Sequence, residues 1–132
     1  MSLLTPMLRS SPLTDWFSDA QRVQGMLDFE AALAQAQAAC GMVPPEAVGP
    51  IVAACRHEAI DFAALGEAAV GAGNLAIPLV KQLTAQVKAQ DPEAARYVHW
   101  GATSQDAIDT GLVLQLRGAL DAAETLLEQL LA

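Results

Sequence analysis

Aromatic residues are scarce in this chain of 132 residues, at 5% of the sequence, whereas apolar residues as a whole make up 53%. Strands draw much of their stability from aromatic and β-branched side chains, and the β-branched residues here are scattered, so the composition argues against a sheet. Ala, Leu, Gln and Glu, which are abundant, are good helix formers. The composition therefore predicts an all-α protein with enough apolar side chains for a core.

Positive charge is also scarce, since seven Lys and Arg residues face fifteen Asp and Glu residues, for a net charge of −8. The seven do not cluster, so no surface that could follow a phosphate backbone is visible and no nucleic-acid partner is expected. No apolar run approaches the roughly 20 residues of a membrane span, and the N-terminus lacks the features of a secretory signal. The sequence therefore predicts a cytoplasmic protein without a membrane partner.

Cysteine is limited to Cys40 and Cys55, which lie in apolar helical contexts without CxxC spacing or nearby histidine pairs. Neither a disulfide nor a metal site is expected from this pattern, and both residues are predicted to be buried, reduced thiols. The glycines Gly71 and Gly73 lack the preceding strand and the spacing of a dinucleotide fingerprint, and they are interpreted as a turn that breaks a helix. The prediction is thus no metal and no cofactor.

Apolar periodicity and end signals predict an extended arm followed by five helices. The arm covers residues 1–13 and carries two prolines, and the sequence assigns no role to its Arg9 and Ser11. The predicted helix boundaries are Ser18 to Gly41, Pro44-Pro45 to near Arg56, Asp61 to about Val70, Asn74 to Asp91-Pro92, and Ser104 to the end.

The last predicted helix carries the longest apolar pattern in the chain. Its length would be ~40 Å at 1.5 Å per residue, and its apolar face is broader than one stripe, so it should need neighbours on more than one side. The pattern is not closed by a glycine or proline at the end, which suggests a piece of a longer protein.

The candidate site is the string HWGATSQD, residues 99–106, where a loop enters this helix. A helix N-terminus presents free N–H groups and a partial positive charge, so with the hydroxyls of Thr103 and Ser104 it could bind a carboxylate. The alternative is that Thr103 or Ser104 only caps the helix while Asp106 satisfies its first turn, and the physics alone favours this plainer interpretation. His99 could contact a substrate or relay a proton, or it could be structural, and Trp100 is predicted to pack.

Three strings, MLDFEAALAQAQA, AGNLAIPLVKQL and ARYVHWGATSQDAIDTGLVLQLR, together resemble 3-carboxy-cis,cis-muconate cycloisomerases of the fumarase/aspartase superfamily. The resemblance spans Trp16 to about Leu120. HWGATSQD alone would indicate the wider group that includes adenylosuccinate lyases, and GNLAIPLVK narrows the choice. Adenylosuccinate lyases typically carry a His-Asp-Val string upstream, whereas the similar place here reads Ile60-Asp61-Phe62, so a purine substrate is less expected.

The resemblance implies that residues 1–102 form the N-terminal helical domain of a longer enzyme and residues 103–132 the start of a long core helix. In such an enzyme the long helices form a homotetramer core with active sites shared between subunits. It implies lactonisation of the tricarboxylate 3-carboxy-cis,cis-muconate to 4-carboxymuconolactone, without a cofactor, in the protocatechuate branch of the β-ketoadipate pathway. Thr103 and Ser104 match the family's carboxylate-binding pair, and His99 matches the motif's histidine. The family's Gly-Arg-Thr string and its Ser-Ser-x-Met-Pro loop are missing from the sequence, so no catalytic acid or base is assigned.

Two alternatives stay open at the level of the sequence. One is an adenylosuccinate lyase-like lyase of the same superfamily. The other is a non-enzymatic helical assembly module in which HWGATSQD is only a loop and a cap. The assembly module predicts that no concave polar pocket lies beside Thr103.

Overall fold

The computed structural model describes residues 11–131, and every regular element in that range is helical. The prediction of an all-α protein is therefore confirmed. The α-helices are α1 (Asp19–Ala39), α2 (Pro45–Ala54), α3 (Phe62–Ala72), α4 (Ala76–Gln90) and α5 (Ser104–Leu131). Short 3-10 helices lie at Pro12–Phe17, His57–Ala59 and Ala94–Tyr97.

The helix ends follow local capping chemistry. The Ser18 hydroxyl accepts a hydrogen bond from the backbone N–H three residues later at 3.3 Å, and the Asp61 carboxylate does the same at 3.0 Å, so these residues start α1 and α3. Gly41 and Gly73 follow α1 and α3 with φ of +71° and +74°, a left-handed conformation that glycine adopts without steric cost. These four boundary predictions are confirmed.

Three local predictions differ from the structure. Gly71 does not break the third helix, because α3 continues to Ala72 and ends at Gly73. Cys40 is exposed rather than buried, whereas Cys55 is buried as predicted. Residues 12 and 13, predicted as the end of an extended arm, lie in the 3-10 helix Pro12–Phe17. Ser11 caps this 3-10 helix, because its hydroxyl accepts from the N–H of Leu13 at 3.2 Å. Residues 1–10 of the predicted arm, with Arg9, lie outside the described residues.

The core forms where α1 packs against α2 and α5, and where α4 packs against α2, α3 and α5. Each helix contributes apolar residues at intervals of three or four, so that one face of each is buried. The largest fully buried side chains are Val23 and Leu27 of α1, Val43, Ile51 of α2, Leu65 of α3, and Leu79, Leu83 and Val87 of α4. This core fixes the start of α5 against both α1 and α4.

Helices α1 and α5 touch through their backbones at two glycines. A Cβ atom placed on Gly25 would lie 2.9 Å from the carbonyl oxygen of Gly111, and one on Gly111 would lie 3.0 Å from the backbone nitrogen of Met26. Such distances leave no room for a methyl group at either position. The crossing brings the polar residues of α1 within reach of the loop that precedes α5.

The second half of α5 is largely uncovered. The buried residues of the whole helix all lie in its first sixteen positions; they are Ala107, Gly111, Gln115 and Ala119. Large apolar side chains beyond them are exposed, with Leu120 at 67%, Leu127 at 60% and Leu130 at 81%. Within residues 11–131, no helix combines the length and apolar character needed to cross a membrane.

Candidate functional site

The loop before α5 has an unusual backbone. His99 has φ of +56° and Gly101 has φ of +69°, both in the left-handed region. Glycine adopts this region freely, but a histidine there costs about 1–2 kcal/mol. Surrounding interactions must therefore hold His99 in place.

Two buried polar side chains of α1 hold this loop. Glu30 and Gln37 are 2% and 8% exposed, and since they are seven residues apart they lie on the same helix face. Glu30 Oε1 lies 2.6 Å from His99 Nδ1, and Gln37 Nε2 donates to the carbonyl oxygen of Trp100 at 2.6 Å. One partner thus holds the histidine ring and the other holds the loop backbone.

The Glu30 and His99 side chains share a proton between Oε1 and Nδ1. Burial raises the pKa of Glu30, and attraction to His99 acts in the opposite direction. Whichever side chain carries the proton, Nδ1 is occupied by this contact. The ring nitrogen of His99 that is left for a ligand is therefore Nε2.

At the start of α5 the helix is capped by a carboxylate rather than by a hydroxyl. The backbone N–H of Thr103 donates to Asp106 Oδ2 at 2.8 Å, which is half of a capping box. Within the described part of the chain, the hydroxyls of Thr103 and Ser104 have no hydrogen-bond partner. The predicted role of Asp106 in the first turn is confirmed, but the two hydroxyls are not the side-chain caps of the alternative interpretation.

A depression of about 260 Å³ lies between α4 and the start of α5, lined by Ala76, Ile77, Val80, Lys81, His99 and Ser104. The structure thus brings His99 and Ser104 together, with Thr103 next in the chain. Trp100 does not line the depression; it is 49% exposed, and its ring lies 5.8 Å from that of Tyr97. The assembly-module alternative predicted no concave polar pocket here, and the surface of this depression is mainly apolar, so the geometry does not decide against that alternative.

Lys81 is the residue of this site that the sequence did not single out. It is exposed, and it stands one turn after Ile77, so the two share the face of α4 that borders the depression. The Asn74 side chain accepts from the N–H of Ile77 at 3.1 Å and fixes the start of α4. The available signal was the string GNLAIPLVK, which ends on this lysine.

Other predicted positions serve the fold. The backbone N–H and C=O of Asp61 bond to the Gln82 side chain, both at 3.0 Å, in addition to its cap, and Ile60 is buried in the core. His57 contacts Gln24 through Nδ1 at 3.0 Å. In the described range 11–131, no three His, Cys, Asp or Glu side chains are grouped so that they could hold a metal ion.

Comparison with known proteins gives consistent results. A family described as lyase matches residues 8–132. The chain is 60% identical over 122 residues to the 3-carboxy-cis,cis-muconate cycloisomerase of Bradyrhizobium diazoefficiens, covering 92% of this chain and 27% of the relative. The same enzyme of Pseudomonas aeruginosa is 62% identical over 121 residues, covering 92% and 26%.

A solved structure shows the same likeness in three dimensions. The 3-carboxy-cis,cis-muconate lactonizing enzyme from Pseudomonas putida superimposes with a TM-score of 0.89 at 56% identity. The match covers 94% of this chain and 28% of that one. The chain thus spans about a quarter of the length of the proteins it matches.

Proposed function

Because the chain belongs to the lyase family, we propose that the protein carrying it lactonises 3-carboxy-cis,cis-muconate to 4-carboxymuconolactone. The observation that carries the proposal is the depression at the start of α5, which Ser104, His99 and Lys81 line together. The hydroxyls of Ser104 and of its neighbour Thr103 have no partner among the described residues. The relatives with this chemistry in their names support it. The reaction would belong to protocatechuate breakdown in the cytoplasm.

The site suits an anionic substrate despite the net charge of −8. Lys81 supplies a local positive charge, and the free N–H groups of the first turn of α5 add a partial one. In the reaction, an oxygen of one carboxylate adds to a double bond, and negative charge develops on the carboxylate conjugated with that bond. Donors that bind this aci-carboxylate more strongly than the substrate lower the barrier.

Each residue of the site has a distinct proposed role. The hydroxyls of Thr103 and Ser104 donate to the developing aci-carboxylate, His99 contacts the substrate through Nε2, and Lys81 binds a second carboxylate. We assign no general acid or base to this chain. The substrate is the only ligand that the proposal requires, and no cofactor takes part.

The exposed apolar face of α5 supports a further part of the proposal. We assign residues 103–132 to the start of a helical bundle built from several copies, a homotetramer, and residues 1–102 to an N-terminal domain. Exposed side chains such as Leu120 and Leu130 would be buried in that bundle.

The decisive experiment is an assay of the purified full-length protein with 3-carboxy-cis,cis-muconate. We expect loss of the ultraviolet absorbance of the conjugated diene and formation of the lactone, identified by NMR. The isolated chain of residues 1–132 serves as the control and should show no turnover, since no acid or base is assigned to it. Turnover of adenylosuccinate in place of the muconate would contradict the proposal. Turnover by the isolated chain would contradict the statement that this chain carries no general acid or base.

Lys81→Met should raise KM by roughly 10-fold with little change in kcat. The ammonium group binds a substrate carboxylate that keeps its charge through the reaction, so its loss weakens ground state and transition state alike. Because Lys81 is exposed, the effect should also shrink at high ionic strength.

The matched control for this variant is Lys88→Met. It removes the same charge from another exposed position of α4, two turns after Lys81. This control variant should leave KM and kcat unchanged. Equal effects of the two variants on KM would mean that net charge, rather than a contact at the site, determines affinity.

A further inference from the structure

We infer that Glu30 is a positioning residue for the reaction: it holds the His99 ring so that Nε2, rather than Nδ1, faces the substrate depression. This inference rests on the proposed function, because it deepens the role of His99 in that same site. It concerns a residue of α1 that touches no part of the depression itself.

The geometry leaves His99 one orientation. Glu30 is 2% exposed and contacts Nδ1 at 2.6 Å, whereas the His99 side chain is 16% exposed and lines the depression. The two nitrogens lie on different edges of the imidazole ring. A contact that holds Nδ1 against the buried face of α1 therefore directs Nε2 toward the open side.

Packing alone does not account for a glutamate at this position. Glu30 lies on the core face of α1, in register with Val23, Leu27 and Ala34, where an apolar side chain would avoid the cost of desolvating a carboxylate. Among residues 11–131, its second oxygen, Oε2, has no hydrogen-bond partner. Within this range His99 is thus the residue to which the Glu30 carboxylate is bonded.

The ring and the loop are held by separate groups, which makes the role of Glu30 testable. Gln37 bonds to the backbone of Trp100 and so restrains the loop, while Glu30 acts mainly on the His99 ring and to a smaller extent on the His99 backbone N–H. A change at Glu30 should therefore alter the tautomer and orientation of His99 without releasing the loop. Orienting a histidine through a buried carboxylate is a recurring device in enzyme sites.

The test is Glu30→Gln in the full-length protein. The amide keeps the size of the side chain but can present either its oxygen or its NH₂ group to Nδ1, so the tautomer of His99 is no longer fixed. We expect kcat/KM to fall by about 10- to 100-fold, mostly through kcat. The ¹⁵N spectrum of labelled histidine should change from a single tautomer at His99 to a mixture of tautomers.

Asp28→Asn is the matched control, because it removes an exposed carboxylate from the same helix. It should leave the rate and the ¹⁵N signals of His99 unchanged. If Glu30→Gln fails to fold, Glu30→Asp retains the carboxylate but shortens its reach by one methylene group, and it should give the same ¹⁵N change with a smaller loss of rate.

The outcomes separate this inference from the proposed function. His99→Asn, which tolerates the left-handed backbone, should lower kcat/KM if the histidine acts in the site. Loss of activity in His99→Asn, with unchanged kinetics and ¹⁵N signals in Glu30→Gln, would overturn the role of Glu30 and leave the proposed function standing. If the unaltered protein does not turn over the muconate, the proposed function fails, and the role of Glu30 in that reaction falls with it.

Discussion

Replacing Ser104 or Thr103 by alanine is expected to lower kcat/KM by roughly 100-fold or more, the scale seen when a preorganised oxyanion donor is removed. Neither hydroxyl has a partner within the described residues, while Asp106 caps the start of α5 through the N–H of Thr103. Removal of either hydroxyl should therefore leave the melting temperature nearly unchanged. Steady-state kinetics and thermal unfolding on the same full-length variants test both parts.

Two further variants calibrate this result. Thr110→Ala removes an exposed hydroxyl from the same helix, away from the depression. It should change neither kcat/KM nor the melting temperature. Asp106→Ala removes the cap and should cost about 1 kcal/mol of stability. If Thr103→Ala and Ser104→Ala instead behave as cap variants, with a lower melting temperature and unchanged kinetics, the motif is a structural cap and the carboxylate-binding proposal is wrong.

At pH 8, Cys40 is expected to react with iodoacetamide about 10³-fold faster than Cys55, because the thiolate is the reactive form. Cys40 is exposed, whereas Cys55 is 6% exposed. Burial raises the pKa of Cys55 to about 12, with smaller contributions from the carboxylates of Glu30 and Asp28. A thiol with that pKa is roughly 10⁻⁴ ionised at pH 8, compared with about a quarter for a free cysteine of pKa 8.5.

Mass spectrometry of peptides after timed labelling measures the two rates. In denaturant both thiols should react at similar rates, which provides the control for intrinsic reactivity. Comparable rates in the native protein would mean that the core around Cys55 opens readily, and would contradict the tight packing of α1 against α2.

The sequence determined the features that depend on neighbours along the chain. Helix ends at Ser18, Asp61, Gly41 and Gly73 follow from hydrogen bonds or backbone angles that span only a few residues. The apolar face of each helix follows from the 3.6-residue period, which is why the all-α fold and the long last helix were predictable. The carboxylate-binding proposal also began from the sequence, because TSQD stands at a helix start.

Tertiary structure decided which side chains meet. Glu30 looked like an ordinary helix former, and its partner His99 lies 69 residues away along the chain. Lys81 looked like one of seven dispersed cations until the packing of α4 placed it beside Ser104. Local periodicity cannot specify such contacts, because they depend on where α1, α4 and α5 cross. One of those crossings is fixed by the contact of Gly25 with Gly111, which is possible because neither residue carries a Cβ atom.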